Sequence, residues 1–88
     1  MDIQRIRNLT TSRLHTDMTH IYEDLEYIIG VSGIMTRQIP RILRSIEPWL
    51  REQLPSARFW DGTYDPSHVG EIELRRMTGD ERWALGFN

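Results

Sequence analysis

Two stretches with a helical apolar repeat, separated by Gly-Val-Ser-Gly, restrict this chain more than any other feature. In the first, Met18, Ile21, Tyr22, Leu25, Ile28 and Ile29 recur three and four residues apart, the spacing that gathers side chains on one face of an α-helix. Glu23, Asp24 and Glu26 lie largely off that face. Asp17 stands where an N-cap is needed, so the spacing predicts a helix over 17–29. Gly30 and Gly33 then break the pattern. In the second stretch Ile39, Ile42, Leu43, Ile46 and Leu50 form the apolar face, and a helical region over 36–54 is expected with Thr36 as its N-cap. Pro40 falls in the first turn, where its missing N–H has no partner to lose. Pro48 meets the carbonyl of Arg44, which predicts a kink or a restart. The pair reads as a helical hairpin with GVSG at its corner.

The remainder reads less regularly. Residues 2–9 open with a helical turn carrying Ile3, Ile6 and Leu9, and the β-branched 10–14 segment is expected to extend. ARFWDG at 57–62 reads as a short strand ended by Asp-Gly. A third helix is expected over 66–77, capped by Asp65 or Ser67, with Val69, Ile72 and Met77 on its buried side and Gly79 ending it. ERWALGF at 81–87 reads as a last strand beside 57–61. The expected fold class is therefore α+β: a single domain over 1–88, with a helical hairpin and a third helix against a two- or three-stranded sheet. An all-α arrangement, with the Trp-containing segments as packing loops, is the alternative.

Composition removes several functions. With no cysteine among its 88 residues, the chain has no disulfide, thiolate metal site or thiol nucleophile. No apolar run approaches the roughly 18 residues of a membrane span, and MDIQRIRN lacks the apolar core of a secretory signal. Neither a membrane partner nor a leader is expected. No catalytic signature appears, so a non-enzymatic protein without cofactor is expected. His20 and Asp24 lie one helical turn apart, but no third ligand stands at metal spacing. Structural roles are expected for His15, His20 and His68, since nothing marks a nucleophile, Ser12 included, in triad geometry.

The charges are segregated. Residues 1–35 carry a net −2, residues 36–60 a net +3 and residues 61–88 a net −3. All 11 basic residues are arginine, the side chain that grips carboxylate or phosphate with a planar fork. Arg37, Arg41, Arg44 and Arg51 fall near one line on an ideal helix, opposite Ile39, Ile42, Ile46 and Leu50. That line is either a solvated face paired with Glu47 and Glu52 or a binding stripe. The overall charge of −2 favours acidic protein surfaces over nucleic acid as its partner. Trp60, beside Phe59 and near Tyr64, is either core or an exposed hot-spot patch.

Residues 21–55 (IYEDLEYIIGVSGIMTRQIPRILRSIEPWLREQLP), 65–85 (DPSHVGEIELRRMTGDERWAL) and 10–14 (TTSRL) together resemble a family of short proteins encoded by tailed bacteriophages and prophages. In that family an amphipathic helix ends in a Gly turn followed by Thr, His, Gln, Leu, Pro, Arg. Thr36, Gln38, Pro40 and Arg41 match; Arg37 stands where histidine is usual and Ile39 where leucine is, so the motif supports no histidine role here. The resemblance implies phage origin and action in the host bacterial cytoplasm. Inhibitors of bacterial defence, anti-CRISPR proteins among them, share this size and charge. The resemblance thus implies a protein that binds and inhibits a host protein complex, such as a nucleic-acid-binding CRISPR or other defence effector. Arg37, Arg41, Arg44, Trp60 and the acidic residues Glu23, Asp24 and Glu26 are the expected contacts. Glu71, Glu73, Asp80 and Glu81 extend the acidic set. Nucleotide or nucleic-acid binding through the arginines, or self-assembly as a homodimer, are the alternatives.

Overall fold

Asp2 starts the first helix: its carboxylate accepts hydrogen bonds from the backbone N–H groups of Gln4 at 2.8 Å and Arg5 at 3.3 Å. The computed structural model describes residues 1–11 and 13–87. Helix α1 spans Ile3–Thr10, α2 Met18–Ile29, α3 Ile39–Gln53 and α4 Gly79–Ala84. Single 3₁₀ turns lie at Thr36–Gln38 and Ala57–Phe59.

Helix α2 forms where the apolar spacing placed it. The Asp17 carboxylate caps it by accepting from Thr19 N at 2.8 Å, and Gly30 ends it in the left-handed conformation at φ 69°. Helix α3 begins differently from expectation. The Thr36 hydroxyl meets the Tyr22 hydroxyl instead of capping, while Met35 N donates to Gln38 Oε1 at 2.7 Å and sets up the 3₁₀ turn that leads into α3. Helix α3 then continues through Pro48 without restarting. Pro48 is solvent-exposed, so the carbonyl it leaves without a helical donor has access to water.

The expected hairpin of α2 on α3 is reorganised around α1. The closest backbone approaches are α1 to α2 and α1 to α3, and α1 also meets the Ala57–Phe59 turn. Ile6 and Leu9 of α1 meet Ile21, Leu25 and Ile28 of α2 and Ile42, Ile46 and Leu50 of α3 in one buried core, closed by Leu54, Phe59, Leu74 and Met77. The short first helix, read from sequence as an opening turn, is the centre of the fold.

The α+β expectation fails. Among the described residues there is no strand and no sheet, only an isolated antiparallel bridge between Asp2 and Glu71; the domain is all-helical. Residues 57–59 form a 3₁₀ turn because Trp60 donates its indole N–H to the Leu54 carbonyl at 2.9 Å, folding the segment back on α3. The helix expected over 66–77 is absent. Gly70 sits at φ 124°, outside any helix, and backbone groups a helix would need are taken by the N-terminus and by the end of α2. Ile3 N donates to Gly70 O at 2.9 Å, Ile72 N to Met1 O at 3.0 Å and Met77 N to Ile28 O at 2.9 Å. Asp65 accepts from Ser67 N at 3.2 Å and closes a turn that no helix follows.

The expected strand at 81–87 is instead α4 with its trailing turn. Its start is a reciprocal capping box: Glu81 N donates to Thr78 Oγ1 at 3.2 Å, and Thr78 N donates to Glu81 Oε1 at 2.8 Å. Gly79, read as a terminator, is its first residue. Among the described residues no helix is long and apolar enough to cross a membrane.

Candidate functional site

Asn8 shapes a cleft beside α3. From the end of α1 its Oδ1 accepts from His15 N at 2.7 Å and Thr16 N at 3.2 Å, and its Nδ2 donates to Thr16 Oγ1 at 2.6 Å. These bonds fix the loop between α1 and α2, which projects Arg13 and Leu14 over an open cleft of about 510 Å³. Leu9, Ile21, Ile39 and Leu43 line it, and so does Arg44 of α3. Leu14 and Met18, both cleft-lining, are 58% and 39% exposed. Two large apolar side chains of the cleft are thus left exposed to water.

The arginine line divides in two. Arg37, Arg41 and Arg44 are exposed, and none has a carboxylate within ion-pair distance among the described residues, whereas Arg5, Arg51, Arg58 and Arg75 each do. Arg51 bonds Glu47 at 3.3 Å and lies over the Trp60 ring at 4.2 Å. Trp60 is half-buried under it, so the expected Phe59, Trp60, Tyr64 patch is not assembled: Phe59 is core, packing on the His68 ring at 4.6 Å, and the exposed Tyr64 stacks on His15 at 6.4 Å.

The acidic contacts expected on α2 face inward or are already engaged. Asp24 is buried and takes a two-point grip from Arg5, Nε to Oδ2 at 3.1 Å and Nη2 to Oδ1 at 2.7 Å. Burial pushes the Asp24 carboxyl up against the pull of Arg5. Glu23 bonds the same guanidinium at 3.1 Å. Glu26 accepts from Gly33 N at 2.9 Å and fixes the GVSG turn. Of the extended acidic set, Glu71 pairs with the N-terminal ammonium at 3.2 Å, and Glu81 pairs with Arg75 at 2.7 Å while accepting the Trp49 indole N–H at 2.8 Å.

His20 Nδ1 lies 2.9 Å from Thr16 Oγ1 and His15 Nε2 lies 2.8 Å from Thr11 Oγ1. Among the described residues no group of three or more side chains is placed to hold a metal. Ser12, considered as a nucleophile, lies outside the described residues. Sequence reasoning missed Arg13, Leu14 and Asn8, which make the cleft, because a loop's direction follows from tertiary hydrogen bonds and no periodicity encodes it. The signal that was available was Met18, an apolar residue at the very start of α2.

Residues 1–60 match a family described as Domain of unknown function (DUF7736), and the chain belongs to that family. No curated protein and no solved structure matches it.

Proposed function

We propose that this DUF7736 chain is a non-enzymatic module that binds another protein through the exposed arginines of α3 and of the 3₁₀ turn that leads into it. The observation that carries the reading is the contrast among its cations. Arg37, Arg41 and Arg44 are left without carboxylates, while their neighbour Arg51 is held by Glu47 and Trp60. Unpaired guanidiniums on a rigid helix are ready to receive carboxylates at little ordering cost. The apolar cleft beside Arg44 favours a protein over a nucleic acid, since phosphates leave such a cleft unfilled. The net charge of −2 also opposes non-specific binding to a polyanion. The resemblance to short phage proteins supports a finer reading, in which the partner is a host protein complex such as a defence effector, inhibited by stoichiometric binding in the bacterial cytoplasm.

The test is affinity purification from bacterial lysate with the wild type and the Arg37→Glu/Arg41→Glu variant, with and without nuclease. The reading expects a stoichiometric protein that survives nuclease and is lost with the variant. Recovery of nucleic acid alone, or a protein indifferent to both charge reversals, overturns it.

A further inference from the structure

We infer that the cleft between the α1–α2 loop and α3 receives an amphipathic helix of the partner, apolar on one side and flanked by carboxylates. The inference rests on the reading above that the α3 face binds a protein, and it adds the occupant. Leu9, Ile21, Ile39 and Leu43 give the cleft a mainly apolar lining. Arg13 from the α1–α2 loop and Arg44 from α3 line it too, neither of them ion-paired among the described residues. The third charge at the cleft, Glu47, is already bonded to Arg51 at 3.3 Å. An occupant must therefore be apolar where it meets that lining and anionic where it meets the arginines.

Backbone chemistry selects a helix. A peptide that adds as a strand needs a free sheet edge, and the described residues contain no sheet; a polyproline-type segment docks on aromatic side chains, and none lines this cleft. A helix satisfies those groups internally and presents apolar residues three and four apart with acids on either flank. The helices of a second copy do not meet the specification. In α2 the apolar stripe is buried, with Asp24 and Glu23 held by Arg5, and α4 is only six residues long.

The test is selection of displayed random peptides of about 15 residues, long enough to form a helix, on the wild type, on Arg13→Glu/Arg44→Glu and on Leu43→Asp. Equal thermal melting would show that the variants fold. Since Leu43 is half-buried, Leu43→Ala repeats the comparison should Leu43→Asp melt early. The inference expects wild-type peptides with apolar residues at three- and four-residue spacing and Asp or Glu beside them. These peptides should lose about tenfold or more in affinity on the double arginine variant. Replacing their acids with Lys should restore binding to that variant. Enrichment of basic or unpatterned peptides, no enrichment, or a cleft-mediated dimer by light scattering overturns it. A lysate protein lost with Arg37→Glu/Arg41→Glu yet indifferent to Arg13→Glu and the Leu43 variants overturns the cleft inference and leaves the arginine-face reading standing.

Discussion

The Arg7 guanidinium, 0% exposed at the centre of the fold, lies 3.2 Å from His68 Nδ1. Arginine is always a donor, so Nδ1 must accept and His68 must be neutral, with its proton on Nε2. The same guanidinium donates to the carbonyls of Arg58 at 2.7 Å, Asp61 at 3.2 Å and Thr63 at 2.8 Å. One side chain from α1 thereby ties three carbonyls and one ring of the 58–68 loop, beside Gln4, whose amide donates to Asp65 O at 3.2 Å and His68 O at 2.6 Å.

Protonation of His68 opposes this arrangement, and stability should depend on pH accordingly. Burial pushes the His68 imidazole below its ordinary 6.5, and the charges of Arg58 and Arg7 push it further while Asp65 pulls back. His15 is lowered in the same direction by burial and then by Arg7 and Arg13. Below 6.5 the unfolded chain takes up protons that the folded chain resists, so the folded state loses stability as pH falls. Urea midpoints at about pH 7.5 and about pH 5 should show the loss, and His68→Asn should reduce it to the share that His15 carries, against which the raised Asp24 carboxyl works in the opposite sense. Glu81 and Asp65, held well below the usual carboxylate range by arginine partners, act only at lower pH. A flat wild-type profile between the two values would exclude this account.

Replacing Arg7 by Met should cost about 3 kcal/mol, because several carbonyls lose their donor at once. Chemical denaturation gives the value. Hydrogen exchange should show protection lost in residues 58–68 before the α2–α3 core. Loss confined to α1 would mean the loop is held by other contacts.

Gly30→Ala should destabilise by roughly 1–3 kcal/mol, the cost of a left-handed non-glycine residue. A methyl group there also falls 2.4 Å from Arg82 Nη1 and 3.1 Å from Arg76 Nη2. These arginines close the end of α2, with Arg76 Nε donating to Tyr27 O at 2.9 Å and Arg82 Nη1 to Ile29 O at 3.5 Å. Arg82→Ala should relieve part of the clash, so the double variant should be more stable than the sum of the two singles. Strict additivity would assign the whole cost to the backbone.

Thr78→Ala should cost about 1 kcal/mol, as for a lost N-cap, and Glu81→Ala should cost more. Glu81 closes the capping box, pairs with Arg75 and accepts from Trp49. Its removal should leave Trp49 fluorescence altered and α4 rapidly exchanging, while Thr78→Ala leaves Trp49 unchanged. Equal effects would deny Glu81 its link between α4 and α3.

Legibility in the sequence followed the range of the interactions. Asp17, the stripe from Ile21 to Ile29 and the stop at Gly30 are local, and the sequence located them nearly to the residue. The capping box Thr78-Gly-Asp-Glu81 is local too and was there to be read; Trp83, Leu85 and Phe87 drew the reading toward a strand instead. The exposed Arg37, Arg41 and Arg44 were legible as a line, but their freedom from partners was not.

What the sequence determined by itself was the extent of α2, which rests on periodicity and capping within a few residues, and the presence of a helix through Ile39–Leu50, which rests on periodicity alone. What only the tertiary structure decided was the all-helical class, the burial of Asp24 and Arg7, and the existence of the cleft. The segment 65–77 has helical spacing, yet its backbone groups bond to Met1, Ile3 and Ile28, which lie far away along the chain. A buried hydrogen bond is worth the same whether its partner is near or distant. The partner that completes the core therefore prevails over local pattern, and no local pattern names that partner.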